Sequence, residues 1–402
     1  MDTGAGAHIV SVSWADHLSF GEGDGRLLTP VALARRLDAW RDELDAGTVH
    51  WRLLRTHLAS EFTAAPGHQH PGLRAACQVD WDDLATVPRL AREAGMRAYL
   101  YVSVFDDGWP LAGDAERQRS YHNAMHCQHV AWRTHFSRDH PGFLIADREG
   151  NRQHGVLCLA YPEVRDHLVG RFMGLLDRGE FDGLFVCLRS QSRPAALGDQ
   201  YGFNPPVQRD YQARTGHRLK QLPAGTQASG TTDTTGLQAW HGLLGEYLTT
   251  LLRELRAALD RRGLRLAVGA PRGDVIGPPL GNATLEWRTW VAERLVDELV
   301  VNQDSCRCPS MWHDLWPMHR GTGYVQSYLD SSTMPTLVQQ IENEYQPTFS
   351  GAAAELYIAR QWEERSEELE AAIVRRQPVH GLVMSSFRHD NPGLLARGDW
   401  RA

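Results

Sequence analysis

The chain reads as an α/β protein, a (β/α)₈ barrel, on three observations. Short apolar runs alternate with helical patterns along nearly all of its 402 residues. Eight such runs qualify as strands, and their ends carry charges, indoles and amides into polar loops. The position after the first strand, where a doubly wound sheet has a phosphate-binding glycine fingerprint, holds Ser13-Trp14-Ala15-Asp16 instead.

Strand one is expected over His8 to Trp14, and Thr29-Pro30 opens the helix after it, a hydroxyl cap with proline in the first turn. Strand two covers Thr48 to Leu54. Past a Gly/His/Pro loop, Asp80 is placed to cap a helix running to Ala94, which Gly95 ends. Strand three, Arg97 to Phe105, runs straight into Asp106-Asp107-Gly108-Trp109. A long connection follows, with a helical piece around Arg117 to Phe136; excursions of this length in compact domains often serve function. The helix Pro162 to Arg178 leads to strand four, Gly183 to Leu188, an apolar run bounded by turn residues and so covered on both faces.

Residues Pro223 to Thr235 form a low-complexity loop, after which a long helix (Gly236 to Arg262) resumes the alternation. Strand five spans Leu264 to Ala270 and ends at Pro271-Arg272-Gly273-Asp274, before a helix over Leu285 to Arg294. Strand six, Glu298 to Asn302, enters an excursion rich in Trp and His (Cys306 to Arg320). The run Gly323 to Leu329 reads as an accessory strand, because the helix Thr336 to Tyr345 precedes a better strand seven, Glu355 to Trp362. A helix over Glu364 to Arg376 and strand eight, His380 to Phe387, complete the series, with no room for a full final helix. One barrel domain over 1–402 with long loop excursions is expected.

The totals narrow the function. A net charge of −7 without a basic face argues against nucleic acid. No apolar run is long enough to span a bilayer. The N-terminus enters a strand without a charged-then-apolar leader, so a cytoplasmic protein is expected unless a leader peptide has been removed. The six cysteines are scattered and form no disulfide framework; Cys158 and Cys187, in apolar runs, read as small core residues. Arginine exceeds lysine and there are 13 tryptophans; guanidinium forks and indole faces suit a polar ring, though most of these indoles belong in the core. A homo-oligomer is compatible with all of this.

In a barrel, the carboxyl ends of the strands face one bowl. They bring together Trp14, Asp16, Asp106, Asp107, Trp109, Arg189, Arg193, Arg272, Asp274, Asn302, Asp304, Arg360, Trp362, Glu364 and Arg388, with Trp312 and His313 on the excursion after strand six. Carboxylates supply acid and base, guanidiniums bind hydroxyls or an acidic substituent, and indoles stack on the apolar face of a pyranose. The expected catalytic set is Asp107, Asp274, Asp304 and Glu364. Trp14, Trp109, Arg189, Arg193, Asn302, Trp312, His313, Arg360, Trp362 and Arg388 are expected to bind substrate. Each acid also has a plainer role: salt bridges that hold loops, turn formation at Asp106-Asp107-Gly108, or the start of a helix at Glu364. His122, His126 and His129 share a helical face that could take zinc, but no glutamate completes a metalloprotease pattern. Cys306-x-Cys308 lacks a second pair, so no metal or cofactor is expected.

Five segments resemble the glycosyl hydrolase-like (family 10 glycosylhydrolase-like) barrel proteins: Asp147 to Arg165, Phe181 to Ser190, Tyr201 to Val207, Gly281 to Val291 and Ser385 to Pro392. The resemblance implies a (β/α)₈ barrel and action on carbohydrate. One departure stands out: many related barrels end strand four in an acid, the usual proton donor, and this one ends in Arg189. The expectation is a glycosidase acting on an oligosaccharide or glycoconjugate, with a uronate or other acidic sugar compatible with the arginines. The alternatives are a carbohydrate-binding barrel without catalysis and a metal-assisted hydrolase or lyase.

Overall fold

A computed structural model of the protein describes residues 7–12, 27, 29–52, 62–64, 81–109, 132–188, 199–222, 234–271, 273–276, 283–301, 337–359 and 378–385. In chain order the strands are β1 (His8–Val12), β2 (Ala46–Arg52), β3 (Phe62–Ala64), β4 (Arg97–Ser103), β5 (Gly108–Trp109), β6 (Trp132–Thr134), β7 (Leu144–Ala146) and β8 (Arg152–Leu157). Then come β9 (Gly183–Cys187), β10 (Arg265–Gly269), β11 (Val275–Ile276), β12 (Ala283–Thr284), β13 (Glu298–Val301), β14 (Glu355–Ala359) and β15 (Val379–Ser385). The principal helices are α1 (Pro30–Leu44), α2 (Asp83–Glu93), α3 (His135–Asp139), α4 (Pro162–Leu176), α5 (Pro205–Thr215), α6 (Thr234–Asp260) and α7 (Trp287–Ala292).

Eight strands close into a parallel barrel in the order β1-β15-β14-β13-β10-β9-β4-β2. These are the eight runs expected from the sequence. The accessory run Gly323 to Leu329 lies outside the described residues. The helices cover the barrel for reasons visible locally. In α1, Thr29 Oγ1 accepts from Ala32 N at 3.1 Å, Pro30 follows the cap, and Leu33, Leu37, Trp40 and Leu44 bury one stripe. Two loop acids guide strands into register. Asp182, ahead of β9, accepts from Ala98 N at 2.8 Å, and Asp297, ahead of β13, accepts from Leu266 N at 2.7 Å. The Phe181-Asp182-Gly183 motif is therefore a strand-entry device. Gly183 leaves room for its neighbour: a Cβ there would stand 3.1 Å from the Tyr99 ring and 2.8 Å from the Arg265 carbonyl oxygen.

The structure corrects some local expectations. The α2 cap is Asp82, which accepts from Leu84 N and Ala85 N, and not Asp80. The helix expected around Arg117 to Phe136 fails at its end, where Trp132–Thr134 is the middle strand of an antiparallel β3-β6-β5 sheet and α3 starts only at His135. Pairing with β3 and β5, remote in sequence, overrides the local pattern. The segment 144–157 is a β7–β8 hairpin. The helix before strand seven contains a π turn over Ile341–Tyr345.

Side chains alternate between two cores. Those facing outward pack against the helices; Ile9, Tyr99, Tyr101, Phe185, Cys187, Ala267, Val300, Tyr357, Ala359 and Val383 fill the barrel. The N-terminal mouth is closed by polar groups from the first residues of four strands. Glu298 is fully buried and accepts from Tyr99 Oη at 2.7 Å; Arg265 stands 3.3 Å from Glu298 and 3.2 Å from Glu355, and Arg97 stands 3.8 Å from Glu298. Tyr357 Oη donates to Glu355 at 2.9 Å. Burial raises the Glu298 pKa, and the Tyr99 hydrogen bond and the two guanidiniums only partly offset it. This end is a plug. Glu298→Ala, which strips Tyr99 of its acceptor and Arg265 of one carboxylate, is expected to cost about 2–4 kcal/mol in urea unfolding. Glu298→Gln, which keeps an acceptor for Tyr99, is expected to cost less than about 1.5 kcal/mol.

Candidate functional site at the C-terminal mouth of the barrel

The opposite mouth is assembled on β2 and β4. Along β2 the inward positions are Thr48, His50 and Arg52, all buried. His50 is stacked on Phe185 (ring centroids 4.0 Å apart) and lies near Tyr99 (5.6 Å). Among the described residues neither of its ring nitrogens finds a hydrogen-bond partner. Burial, with the Arg97 charge acting the same way, pushes His50 down from 6.5 to about 3. Arg52 carries its guanidinium 5.1 Å over the Tyr101 ring and donates to Asp106 Oδ2 at 2.5 Å. Both side chains of this ion pair are almost wholly buried, and it sits above the aromatic filling of the barrel.

Asp106 and Asp107 follow β4 directly and go separate ways. Asp107 is fully buried. Its Oδ1 accepts from Thr134 Oγ1 at 3.1 Å, and Arg171 Nη1 stands 4.0 Å away. Its backbone N–H donates to Gly155 O and its carbonyl accepts from Thr134 N, both at 2.9 Å. Asp107 thus ties the β3-β6-β5 sheet and the β7–β8 hairpin to the end of β4. Gly155 allows the contact: at φ +74°, a Cβ would fall 2.1 Å from the Gly108 carbonyl oxygen.

Asp274 is half-exposed and accepts from Trp287 Nε1 and Arg288 Nη1, each at 2.7 Å. Arg288 continues to Glu344 at 3.4 Å. Of the four expected catalytic acids, these two are engaged with side chains of their own neighbourhood. Asp304 and Glu364 lie outside the described residues, as do Trp14, Arg189, Arg193, Asn302, Trp312, His313, Arg360, Trp362 and Arg388. Trp109 lies in β5, at the rim beyond Asp107. His122, His126, His129, Cys306 and Cys308 are also outside. Among the described residues no group of three or more His, Cys, Asp or Glu could hold a metal ion.

Several polar residues of the family-like segments hold loops. Asp147 accepts from Glu149 N (3.0 Å), Asn151 N (2.7 Å) and Asn151 Nδ2 (2.9 Å), closing the β7–β8 turn. Asn204 donates to Leu144 O and accepts from Ala146 N, both at 2.9 Å, and so pins that hairpin to the start of α5. Asp199 meets His241 at 2.8 Å and joins the loop after β9 to α6. Sequence reasoning overlooked Arg52. Its signal was the inward series Thr48, His50, Arg52, which puts three polar groups on the face that a filled barrel keeps apolar.

No protein-family model and no curated protein matches the chain. The fold matches the catalytic domain of a β-amylase from Paenibacillus polymyxa at 12% identity and TM-score 0.51, over 94% of this chain and 91% of that one. It also matches the PgaB (BpsB) glycoside hydrolase domain from Bordetella bronchiseptica at 13% identity and TM-score 0.53, over 98% of each. At these identities the likeness is one of fold. The chain has the closed parallel barrel found in these glycoside hydrolase domains, and the narrower family resemblance rests on its sequence motifs alone.

Two predictions concern this end. Gly155→Ala is expected to destabilise the protein by at least about 2 kcal/mol, read from the denaturant midpoint, because neither backbone can retreat. Between about pH 3 and pH 6.5 the unfolded chain binds a proton that the folded His50 refuses, so stability falls as pH drops through that window. The slope from this residue approaches ~1.4 kcal/mol per pH unit. His167, pushed by burial to about 4, adds a similar fall over a narrower range. His50→Phe is expected to flatten the acid limb; an unchanged slope would show that the ring is not the group responsible.

Proposed function

We propose that the protein is a glycoside hydrolase of the family 10 glycosylhydrolase-like kind. In this reading it acts on an oligosaccharide or glycoconjugate by carboxylate acid/base chemistry at the C-terminal face of the barrel. The observation that carries this reading is the asymmetry of the barrel. One mouth is sealed by Glu298, Arg265, Glu355 and two tyrosines, while among the described residues the other bears the single ion pair Arg52–Asp106. The fold it shares with the β-amylase and PgaB domains supports the same class of substrate.

Within this reading Asp304 and Glu364 act as the acid and the base or nucleophile. Asp107 and Asp274, each held by neighbouring side chains, place the loops around them. Arg189, Arg193, Arg360 and Arg388 bind substrate at the rim, with Asn302 and His313, and reach an acidic substituent where the sugar has one; Trp14, Trp109, Trp312 and Trp362 form the walls. The protein works without a cofactor. The engagement of Asp107 and Asp274 also favours a second reading, a barrel that binds carbohydrate without cleaving it.

Release of reducing ends from a panel of neutral and uronate-containing oligosaccharides separates the two. Turnover is expected to fall at least about 100-fold in Asp304→Asn and in Glu364→Gln. Full turnover in both variants would refute the assignment, and binding without product over long incubation would establish the second reading.

A further inference from the structure

At its N-terminal end the barrel repeats one device at four seams. Ala98, the second residue of β4, donates its N–H to Asp182, just ahead of β9, at 2.8 Å. Leu266, the second residue of β10, donates to Asp297, just ahead of β13, at 2.7 Å. Leu356, the second residue of β14, donates to Nδ1 of His380 near the start of β15, at 3.1 Å. Leu382 of β15 donates to Nδ1 of His8, the first residue of β1, also at 3.1 Å. Each time, a side chain at the entry of one strand takes a backbone N–H of the strand beside it in the ring. All four amides belong to residues of the core between strands and helices. Two seams use a carboxylate. The two seams of β15, with β14 and with β1, use an imidazole.

The local geometry shows why a side chain is needed. The register of β14 on β15 passes from Leu356↔Val379 to Tyr357↔Gly381 and skips His380. The ladder is interrupted there, and the His380 ring supplies an acceptor to Leu356 N–H. Gly381 lets β1 come close: a Cβ on it would collide with the Ala7 carbonyl and stand 3.2 Å from His8 Nδ1.

A backbone N–H can only donate, so each Nδ1 presents its lone pair and the ring hydrogen sits on Nε2. A proton on Nδ1 and the bond to the strand exclude one another. A carboxyl group differs, because it keeps an acceptor oxygen after taking a proton. Among the described residues, Asp45 meets the start of β1: its carbonyl accepts from His8 N at 3.1 Å and its carboxylate from Ala7 N at 3.4 Å. On β14, the Tyr357 ring lies 6.2 Å from His380, and Tyr357 donates to Glu355, which Arg265 pairs. The two acids favour a charged ring and Arg265 opposes it.

We propose that His8 and His380 form a proton-sensitive latch on the two seams of β15. Mild acid charges the rings, releases the N–H groups of Leu382 and Leu356, and loosens the entry of β15 while the carboxylate-held seams stay closed. The latch holds above the range in which imidazole titrates and weakens as pH falls through it. It is independent of what the barrel binds.

Residue-resolved amide hydrogen exchange of the full chain at about pH 7 and about pH 5, corrected for intrinsic exchange rates, tests this. Protection of Leu356 and Leu382 is expected to fall about 10-fold more than that of Ala98 and Leu266. The two carboxylate-held amides register any general loss of stability, that from His50 included. An equal fall at all four amides, or no fall, would therefore overturn the proposal. His380→Asn and His8→Asn each put an acceptor that does not titrate in place of a ring. They are expected to abolish the selective fall at Leu356 and at Leu382, respectively. A selective fall that persists in a folded variant would overturn the role of that ring. The comparison within the unmodified protein needs no substitution, so it decides the matter even where a variant does not fold.

Discussion

Closure of eight strands into a ring forces every second side chain into one narrow interior, and the rest of this structure follows from that constraint. Polar groups on those positions cannot be solvated, so each must be matched by another inward-facing group or carry a penalty. At the N-terminal mouth the matching is extensive: Glu298, Arg97, Arg265, Glu355, Tyr99 and Tyr357 form one connected network. At the C-terminal mouth it is partial. Arg52 and Asp106 satisfy each other on one side, and Asp106 Oδ1 has no donor among the described residues. Among the described residues the two ends of the barrel thus differ in how far their polar groups are matched.

The acids near strand ends illustrate how strongly tertiary context decides their work. Asp106 and Asp107 are adjacent in the chain, yet Asp106 lies against Arg52 and Asp107 is built into a junction with Thr134, Arg171 and the Gly155 carbonyl. Asp182 and Asp297 hold backbone N–H groups of neighbouring strands, and Asp147 closes a hairpin. Motifs that make the chain look like a family of barrel proteins are thus in large part devices for building the barrel and its loops.

The buried tryptophans and histidines follow the same logic. Trp51 donates to Asp83 and Trp290 to Thr249, so these indoles serve the layer between barrel and helices and not a ligand. His50, between Phe185 and Tyr99, behaves as an aromatic filler whose nitrogens carry a cost, and the depressed pKa expresses that cost.

The barrel strands, the alternation and the cap at Thr29 were legible from the chain, because strand and helix periodicity and capping chemistry are local properties. The failure at Trp132–Thr134 marks the limit of that reading, since pairing with strands at Phe62 and Trp109 makes the described end of the expected helical piece a strand. The set of polar residues near the C-terminal mouth could also be listed from sequence. Their pairing could not: which of two neighbouring aspartates meets Arg52, 54 residues away in the chain, depends on the turn after β4 and the tilt of the strands. Composition and periodicity thus determined the architecture and the end of the barrel at which to look. Only the closed tertiary structure decided which charges neutralise one another, because that depends on distances between residues remote in the chain.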